Sequence, residues 1–329
     1  MPRGLLLTVV VVCCVPETSK HMAVSLICPT CRATLDESLR DRCSCPGCGR
    51  GYGIEDGVVR LLERTDEFYE GVYQNQVHFV PRSENLWHVW PLWLIHSGYP
   101  WAVRSHVPRG STVVELGCAG GVRYFGQRYS MIGCDISYAS LKELVGYERR
   151  VQSDASKCIP LPDGSVDAVV SAYFWEHIPP AVKPAILQEC RRILRPGGKI
   201  VFLYDVETDN PLIRKYKERS LSLYEKLFIE GDGHVGYERP RDNIVAFEAA
   251  GFRVIDHRGK EKTFLQSPAA YIKLAQFDGP GKRVFEAAKN LGKSPWFYPY
   301  TALIRAVDEL VCPLLDDEWA RIDMVVCQK

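Results

Sequence analysis

Residues 111–207 alternate short β-branched runs with helical stretches, and this alternation constrains the fold more than any other feature of the chain. Residues 112–116, 130–134, 166–172 and 199–204 read as strands, and 137–147 and 184–194 read as helices between them. Strands that alternate with helices build a parallel sheet covered on both faces. Ligands of such sheets sit beyond the carboxyl ends of the strands. The fold class expected is therefore α/β and doubly wound.

The chemistry-bearing residues fall at those strand ends. The first strand runs into Glu115-Leu116-Gly117-Cys118-Ala119-Gly120-Gly121, where glycines permit a sharp turn and a close backbone approach to a ligand. Asp135 ends the next strand, 20 residues after Glu115, and its carboxylate can accept from both hydroxyls of a ribose. Taken alone it could equally cap the following helix, with Ser137 nearby. Asp154 can accept from an adenine amine, and Asp163-Gly164 is a turn that launches the third strand. Arg195-Pro196-Gly197-Gly198 is a turn leading into the fourth.

In this order, residues 112–207 resemble the type 11 class of S-adenosylmethionine-dependent methyltransferases. The resemblance implies a mostly parallel, seven-stranded, Rossmann-like methyltransferase sheet. It also implies a cofactor site. Gly117 and Gly121, with Cys118 and Ala119 between them, would wrap the methionine part, and Glu115 would contact it directly or through water. Asp135 would bind the ribose, and Ile136 would lie against the adenine, with Asp154 and Ala155 on its other side. Ser171 and Tyr173 would sit near the sulfonium. One residue departs from the pattern: Ala119 stands where the family has glycine, a cost if φ must be positive there. A dinucleotide oxidoreductase would need a third glycine three positions on, where this chain has Tyr124.

Cys28-Pro29-Thr30-Cys31 and Cys45-Pro46-Gly47-Cys48 are two C-x₂-C knuckles, 13 residues apart, and together they supply the four thiolates of a tetrahedral structural zinc site. Cys43 is a spare with the wrong spacing to Cys48. Residues 27–62 resemble the small zinc-ribbon protein that activates several methyltransferases. The segment reads as a structural staple, because so short a module cannot build its own core. A ribbon before such a domain is also similar to the bacterial enzymes that methylate a guanine of 23S rRNA. Here Arg32, Arg40, Arg42, Arg50, Arg60 and Arg64 are balanced by Asp36, Glu37, Asp41, Glu55, Asp56 and Glu63, where phosphate binding asks for excess base. The whole chain, at net charge +1, also lacks an electrostatic footprint for nucleic acid.

The remaining divisions are coarser. Residues 1–21 contain an apolar run too short to cross a membrane and read as an upstream extension, with Met22 as the expected start. Residues 22–64 form the ribbon. Residues 65–110 are crowded with aromatics, among them Tyr69, Tyr73, Trp87 and Trp90, and read as N-terminal helices or a lid. Residues 111–329 are the catalytic domain, with a substrate-cover insertion at about 257–320 whose size suggests a bulky acceptor.

Methyl transfer from a sulfonium is an in-line displacement that needs alignment and, for oxygen or nitrogen acceptors, loss of a proton. His177, after the third of the strands above, and His234, in Asp232-Gly233-His234-Val235-Gly236, are the candidate catalytic residues. Either could instead hold a loop. The function expected is transfer to O or N of a small or medium organic acceptor such as a natural product, sugar or lipid, in the cytoplasm. The alternative is a tRNA or rRNA base methyltransferase that reads RNA through its ribbon.

Overall fold

The structure, a computed structural model, describes residues 24–62, 67, 70–71, 96–119, 121–291 and 294–329. The expectations for residues 1–21, for Tyr69, Tyr73 and most of the aromatic segment, and for Gly120 lie outside the described residues.

The strands are β1 (Arg42–Ser44), β2 (Gly51–Glu55), β3 (Val58–Arg60), β4 (Thr112–Leu116), β5 (Ser130–Asp135), β6 (Arg149–Gln152), β7 (Val166–Ala172), β8 (Leu194–Asp205), β9 (Arg253–Lys260) and β10 (Ile322–Gln328). They form one sheet in the order β1-β2-β3-β6-β5-β4-β7-β8-β10-β9. β6, β5, β4, β7 and β8 are parallel, and β10 runs antiparallel between β8 and β9. These seven strands are the mostly parallel sheet expected. All five residues of β4 are buried, as befits a central strand covered on both faces. Strand order reverses at β4, with β5 on one side and β7 on the other, which puts a ligand crevice at their carboxyl ends.

Helices α1 (Tyr99–His106), α2 (Arg123–Gly126) and α3 (Tyr138–Glu143) lie on one face, in an apolar cluster with Tyr99, Val103, Phe125 and Leu141. Helices α4 (Lys183–Ile193) and α7 (Pro240–Ala249) cover the other, with Ile186, Cys190 and Phe247 packed among Val114, Ile200 and Phe202. Between them in sequence are α5 (Pro211–Arg219) and α6 (Leu221–Tyr224). The segment from β9 to β10 carries α8 (Pro268–Leu274), α9 (Lys282–Ala288) and α10 (Phe297–Leu310). A third apolar cluster joins α5 and α6 to α8 and α9, through Tyr216, Tyr224, Phe228, Tyr271, Phe277 and Phe285. Residues from before β9 and from the β9–β10 segment thus share one apolar cluster.

The Cys-rich segment is joined to the sheet. β3 pairs in parallel with β6, Val58 to Arg150 and Arg60 to Gln152, and the Leu61 N–H donates to the Gln152 carbonyl at 2.9 Å. Leu26, Leu35, Tyr52, Val59 and Leu61 share one buried cluster with Leu116 and Ile132. The segment borrows the core it is too short to build. Among the described residues, no helix is long and apolar enough to cross a membrane.

Candidate cofactor site, cysteine cluster and histidine group

The turn after β4 has left-handed backbone at Gly117 (φ 61°), Ala119 (φ 37°) and Gly121 (φ 65°). Ala119 therefore carries the strain anticipated from its sequence. At Gly117 a Cβ would come within 2.5 Å of the Phe174 ring, so glycine is needed there for space as well as for φ. A Cβ at Gly121 would collide with Leu144. The turn is tight, with the Gly121 N–H donating to the Cys118 carbonyl at 2.6 Å.

Asp135 faces this turn. Its Oδ2 accepts from the Ala119 N–H at 3.0 Å and its Oδ1 from the Ser137 N–H at 2.9 Å. Each oxygen keeps a second lone pair that a ligand hydroxyl could use. Burial holds the carboxyl above its ordinary range. Ser137 is also the cap of α3, accepting from the Ser140 N–H at 3.1 Å. The side chain of Glu70 accepts from the first two N–H groups of that helix, at Tyr138 and Ala139. Ser137 and Glu70, not Asp135, cap α3, and the Asp135 carboxylate is held facing the turn.

Glu115 is buried, and both of its oxygens meet hydroxyls: Tyr99 donates to Oε1 at 3.1 Å and Tyr147 donates to Oε2. Tyr147 in turn accepts from the Val122 N–H at 3.1 Å. Burial pushes the Glu115 carboxyl up to about 7, against the pull of the two tyrosines. The residue braces the turn from below.

Ile136 is half-buried, and its carbonyl accepts from Gln152 Nε2 at 3.0 Å. Gln152 Oε1 accepts from Arg60 at 3.1 Å, so one side chain links the Cys-rich segment to the loop after β5. Asp154 accepts from the Ser156 N–H at 3.0 Å and pairs with Lys157 at 3.1 Å. Burial raises its pKa, but these partners outweigh burial and hold it below the ordinary value. Ala155 is buried beside it. Ser171 Oγ donates to the Leu116 carbonyl at 2.8 Å, tying β7 to β4. Tyr173 takes φ 56°, a left-handed backbone where the chain leaves β7.

The two candidate histidines, 57 residues apart in sequence, are brought together with ring centroids 5.2 Å apart. His177 Nδ1 lies 3.0 Å from the Gly233 carbonyl. Burial, then the neighbouring His234, depress His177 to about 4. Burial likewise lowers His234 to about 4, against the charge of Asp232. Glu176 completes the group. It is buried, its Oε1 accepts from the Asp205 N–H at 3.2 Å, and Oε2 has no hydrogen-bond partner among the described residues. In the sequence only its place directly before His177 marks it. Tyr99, Tyr147, Phe174 and Gln152 were silent in the sequence, because nothing local distinguishes them from ordinary core or strand residues.

Cys28, Cys31, Cys45 and Cys48 form one cluster, with Sγ atoms 3.7 Å apart for Cys28 and Cys48 and 3.2 Å apart for Cys31 and Cys45. Bonds of about 2.3 Å to a tetrahedral zinc require sulfur separations of about 3.8 Å, so the four fit that ion with small adjustments. The Tyr52 hydroxyl lies 3.1 Å from Cys28 Sγ. Burial opposes ionisation of Cys28, yet bonds from Tyr52 and from the Cys31 and Thr30 backbone pull it down to about 6. Cys43 is buried outside the cluster.

A family model described as a methyltransferase domain matches residues 114–202. The chain is 35% identical over 124 residues to a tRNA (carboxymethyluridine(34)-5-O)-methyltransferase of Macaca fascicularis, covering 35% of this chain and 18% of that protein. It is 28% identical over 168 residues to a 2-methyl-6-phytyl-1,4-hydroquinone methyltransferase of Synechocystis, covering 46% of this chain and 52% of that one. A solved SAM-dependent methyltransferase from Archaeoglobus fulgidus matches with a TM-score of 0.43 at 19% identity, over 71% of this chain and 94% of that chain. The chain spans 18% to 62% of the length of the first four curated relatives it matches.

Proposed function

We propose that this chain, whose residues 114–202 form a methyltransferase domain, binds S-adenosylmethionine at the β4 turn and methylates oxygen or nitrogen of a small or medium organic acceptor. The observation that carries the reading is the junction of the glycine turn with Asp135, through the Ala119 N–H. It gathers backbone at left-handed φ, where side chains would intrude, and a carboxylate with spare lone pairs into one crevice at the switch point of the sheet.

The cofactor supplies a methyl group on a sulfonium, and transfer leaves a neutral thioether. In this reading Asp135 holds the ribose hydroxyls, and Ile136 and Ala155 flank the adenine. Gly117, Cys118, Ala119 and Gly121 wrap the methionine part, with Glu115 as their brace. Asp154, already engaged by Ser156 and Lys157, contributes mainly by shaping the adenine wall. Ser171 and Tyr173 border the sulfonium. His177 and His234 lie at the acceptor end, below the cover built from α5, α6, α8 and α9. That cover is apolar and aromatic inside, which suits an organic acceptor such as a natural product, sugar or lipid.

The zinc-ribbon is assigned a structural role, with zinc held by Cys28, Cys31, Cys45 and Cys48. Two of its arginines are committed to ion pairs, Arg32 with Glu189 at 3.0 Å and Arg60 with Glu55 at 2.6 Å. The second reading, an RNA base acceptor, is favoured by the 35% identity to a tRNA methyltransferase. Labelled methyl donor, offered with phenols, sugars, lipids and tRNA in separate reactions, tests both. Label in an organic acceptor supports the first reading, label in tRNA supports the second, and label in none overturns methyl transfer. A cytoplasmic location completes the proposal.

A further inference from the structure

We propose that Glu176, His177 and His234 bind a divalent first-row transition-metal ion, distinct from the ribbon zinc, at the acceptor end of the sheet. The ligand atoms of these three side chains all lie within 4.8 Å of one another. Bonds of about 2.1 Å to nitrogen and oxygen would close that group by about an ångström of side-chain adjustment.

The detailed bonding is that of ligands held ready. His234 Nδ1 is buried and has no hydrogen-bond partner among the described residues, and neither has Glu176 Oε2. Glu176 is 1% exposed and His234 6%, so water does not account for these orphan atoms. The His177 imidazole has its orientation fixed from outside the group, with Nδ1 3.0 Å from the Gly233 carbonyl. Metal-binding histidines characteristically donate their second N–H to a carbonyl in this way, which fixes the tautomer and turns the other nitrogen inward. Glu176 is held likewise, by the Asp205 N–H on its other oxygen at 3.2 Å. Leaving a buried carboxylate oxygen and a buried ring nitrogen unpaired is costly, and a shared cation removes both costs at once.

Two imidazoles and one carboxylate suit a borderline ion such as zinc, iron or cobalt, while the soft thiolate cluster of the ribbon selects differently. Three protein ligands leave a position open for substrate oxygen. An ion there would lower the pKa of a bound hydroxyl, so that the two histidines act through the metal instead of as free bases. Only this use of the ion, which points to a hydroxyl acceptor, rests on the methyl-transfer reading. The ion site stands without it.

Cobalt(II) added to the zinc-loaded chain tests the site. The expected result is one cobalt bound per chain with zinc retained and visible d–d bands, without a sulfur-to-cobalt charge-transfer band. Glu176→Gln and His234→Gln are each expected to weaken cobalt binding at least tenfold while the ribbon zinc stays. The proposal is overturned if the wild-type chain takes cobalt only by displacing zinc, with thiolate charge transfer, or takes none. It is equally overturned if folded Glu176→Gln and His234→Gln chains bind cobalt as wild type does. Because the wild-type spectrum alone distinguishes nitrogen and oxygen ligation from thiolate ligation, a variant that fails to fold does not remove the test. Cobalt binding without methyl transfer to any hydroxyl compound would leave the site standing and remove the methylation reading.

Discussion

The backbone N–H of Ala119 donates to Asp135 Oδ2 at 3.0 Å, joining the turn after one strand to the acid that ends its neighbour. Ala119 makes this bond from φ 37°, a conformation that L-residues with a Cβ adopt at a cost of about 1–2 kcal/mol. Ala119→Gly should relieve that strain, offset by about 0.4–1 kcal/mol of extra unfolded-chain entropy. The expected outcome is stability unchanged or raised by up to about 1 kcal/mol, with tighter cofactor binding. Denaturant melts with and without S-adenosylmethionine check it. Weaker cofactor binding in the variant would show that the Ala119 methyl makes a contact of its own.

Glu115 gives a pH dependence with a definite sign. Its folded pKa of about 7 lies above the ordinary 4.5 because the carboxyl is buried. Between these values the folded chain keeps a proton that the unfolded chain has lost. Stability from this group is therefore greatest below about pH 4.5, falls as pH rises to about 7 and is flat above, a change on the order of 3 kcal/mol. Glu115→Gln should flatten that slope. Urea midpoints across the window provide the measurement, and an unchanged slope in the variant would assign it to other groups.

Removing the zinc proposed at the four-cysteine cluster should be felt beyond the Cys-rich segment, because β3 pairs with β6 and the two share one core. Chelation, or Cys45→Ser, is expected to lower Tm by more than about 5 °C. Thermal melts followed by zinc analysis check this. A melt that is indifferent to zinc would mean that the cysteines hold the ribbon without metal.

Arg321 donates to Glu261 Oε2 at 2.6 Å, with both side chains buried, just before β10. Arg321→Met takes the nearest cation from a buried carboxylate that keeps only the Ser267 N–H at 3.1 Å and Arg305 at 3.7 Å, and should cost about 3–5 kcal/mol, while Arg321→Met with Glu261→Gln should recover much of the loss. A double-mutant cycle in denaturant measures both. Additive losses would show that the pair is not coupled.

Much of the sheet was legible because its signal is local. The run 112–116 is β4 to the residue, and 166–172 is β7, since a β-branched run bounded by turns has few other uses. The helix read over 137–147 is observed only as Tyr138–Glu143, for Leu144 turns to extended backbone and ends it. Asp135 and Gly117 were readable because glycine and an acid at strand ends have recognisable chemistry. What stayed hidden depends on long-range pairing. β6 is four residues long and carries Arg149 and Arg150, so it shows no apolar run, yet it is the strand that receives the ribbon. The meeting of His177 with His234 depends on how the loop at residues 231–237 folds back, with the Gly236 N–H donating to the Glu176 carbonyl at 2.8 Å. No spacing in the sequence encodes that contact.

The β4 turn as a cofactor site is tested most directly by calorimetric titration of the chain with S-adenosylmethionine. The predicted result is saturable binding to one site per chain, lost at least tenfold in Asp135→Ala, whose truncated side chain no longer reaches the ribose. No binding to the wild-type chain, or undiminished binding to a folded Asp135→Ala chain, would contradict it.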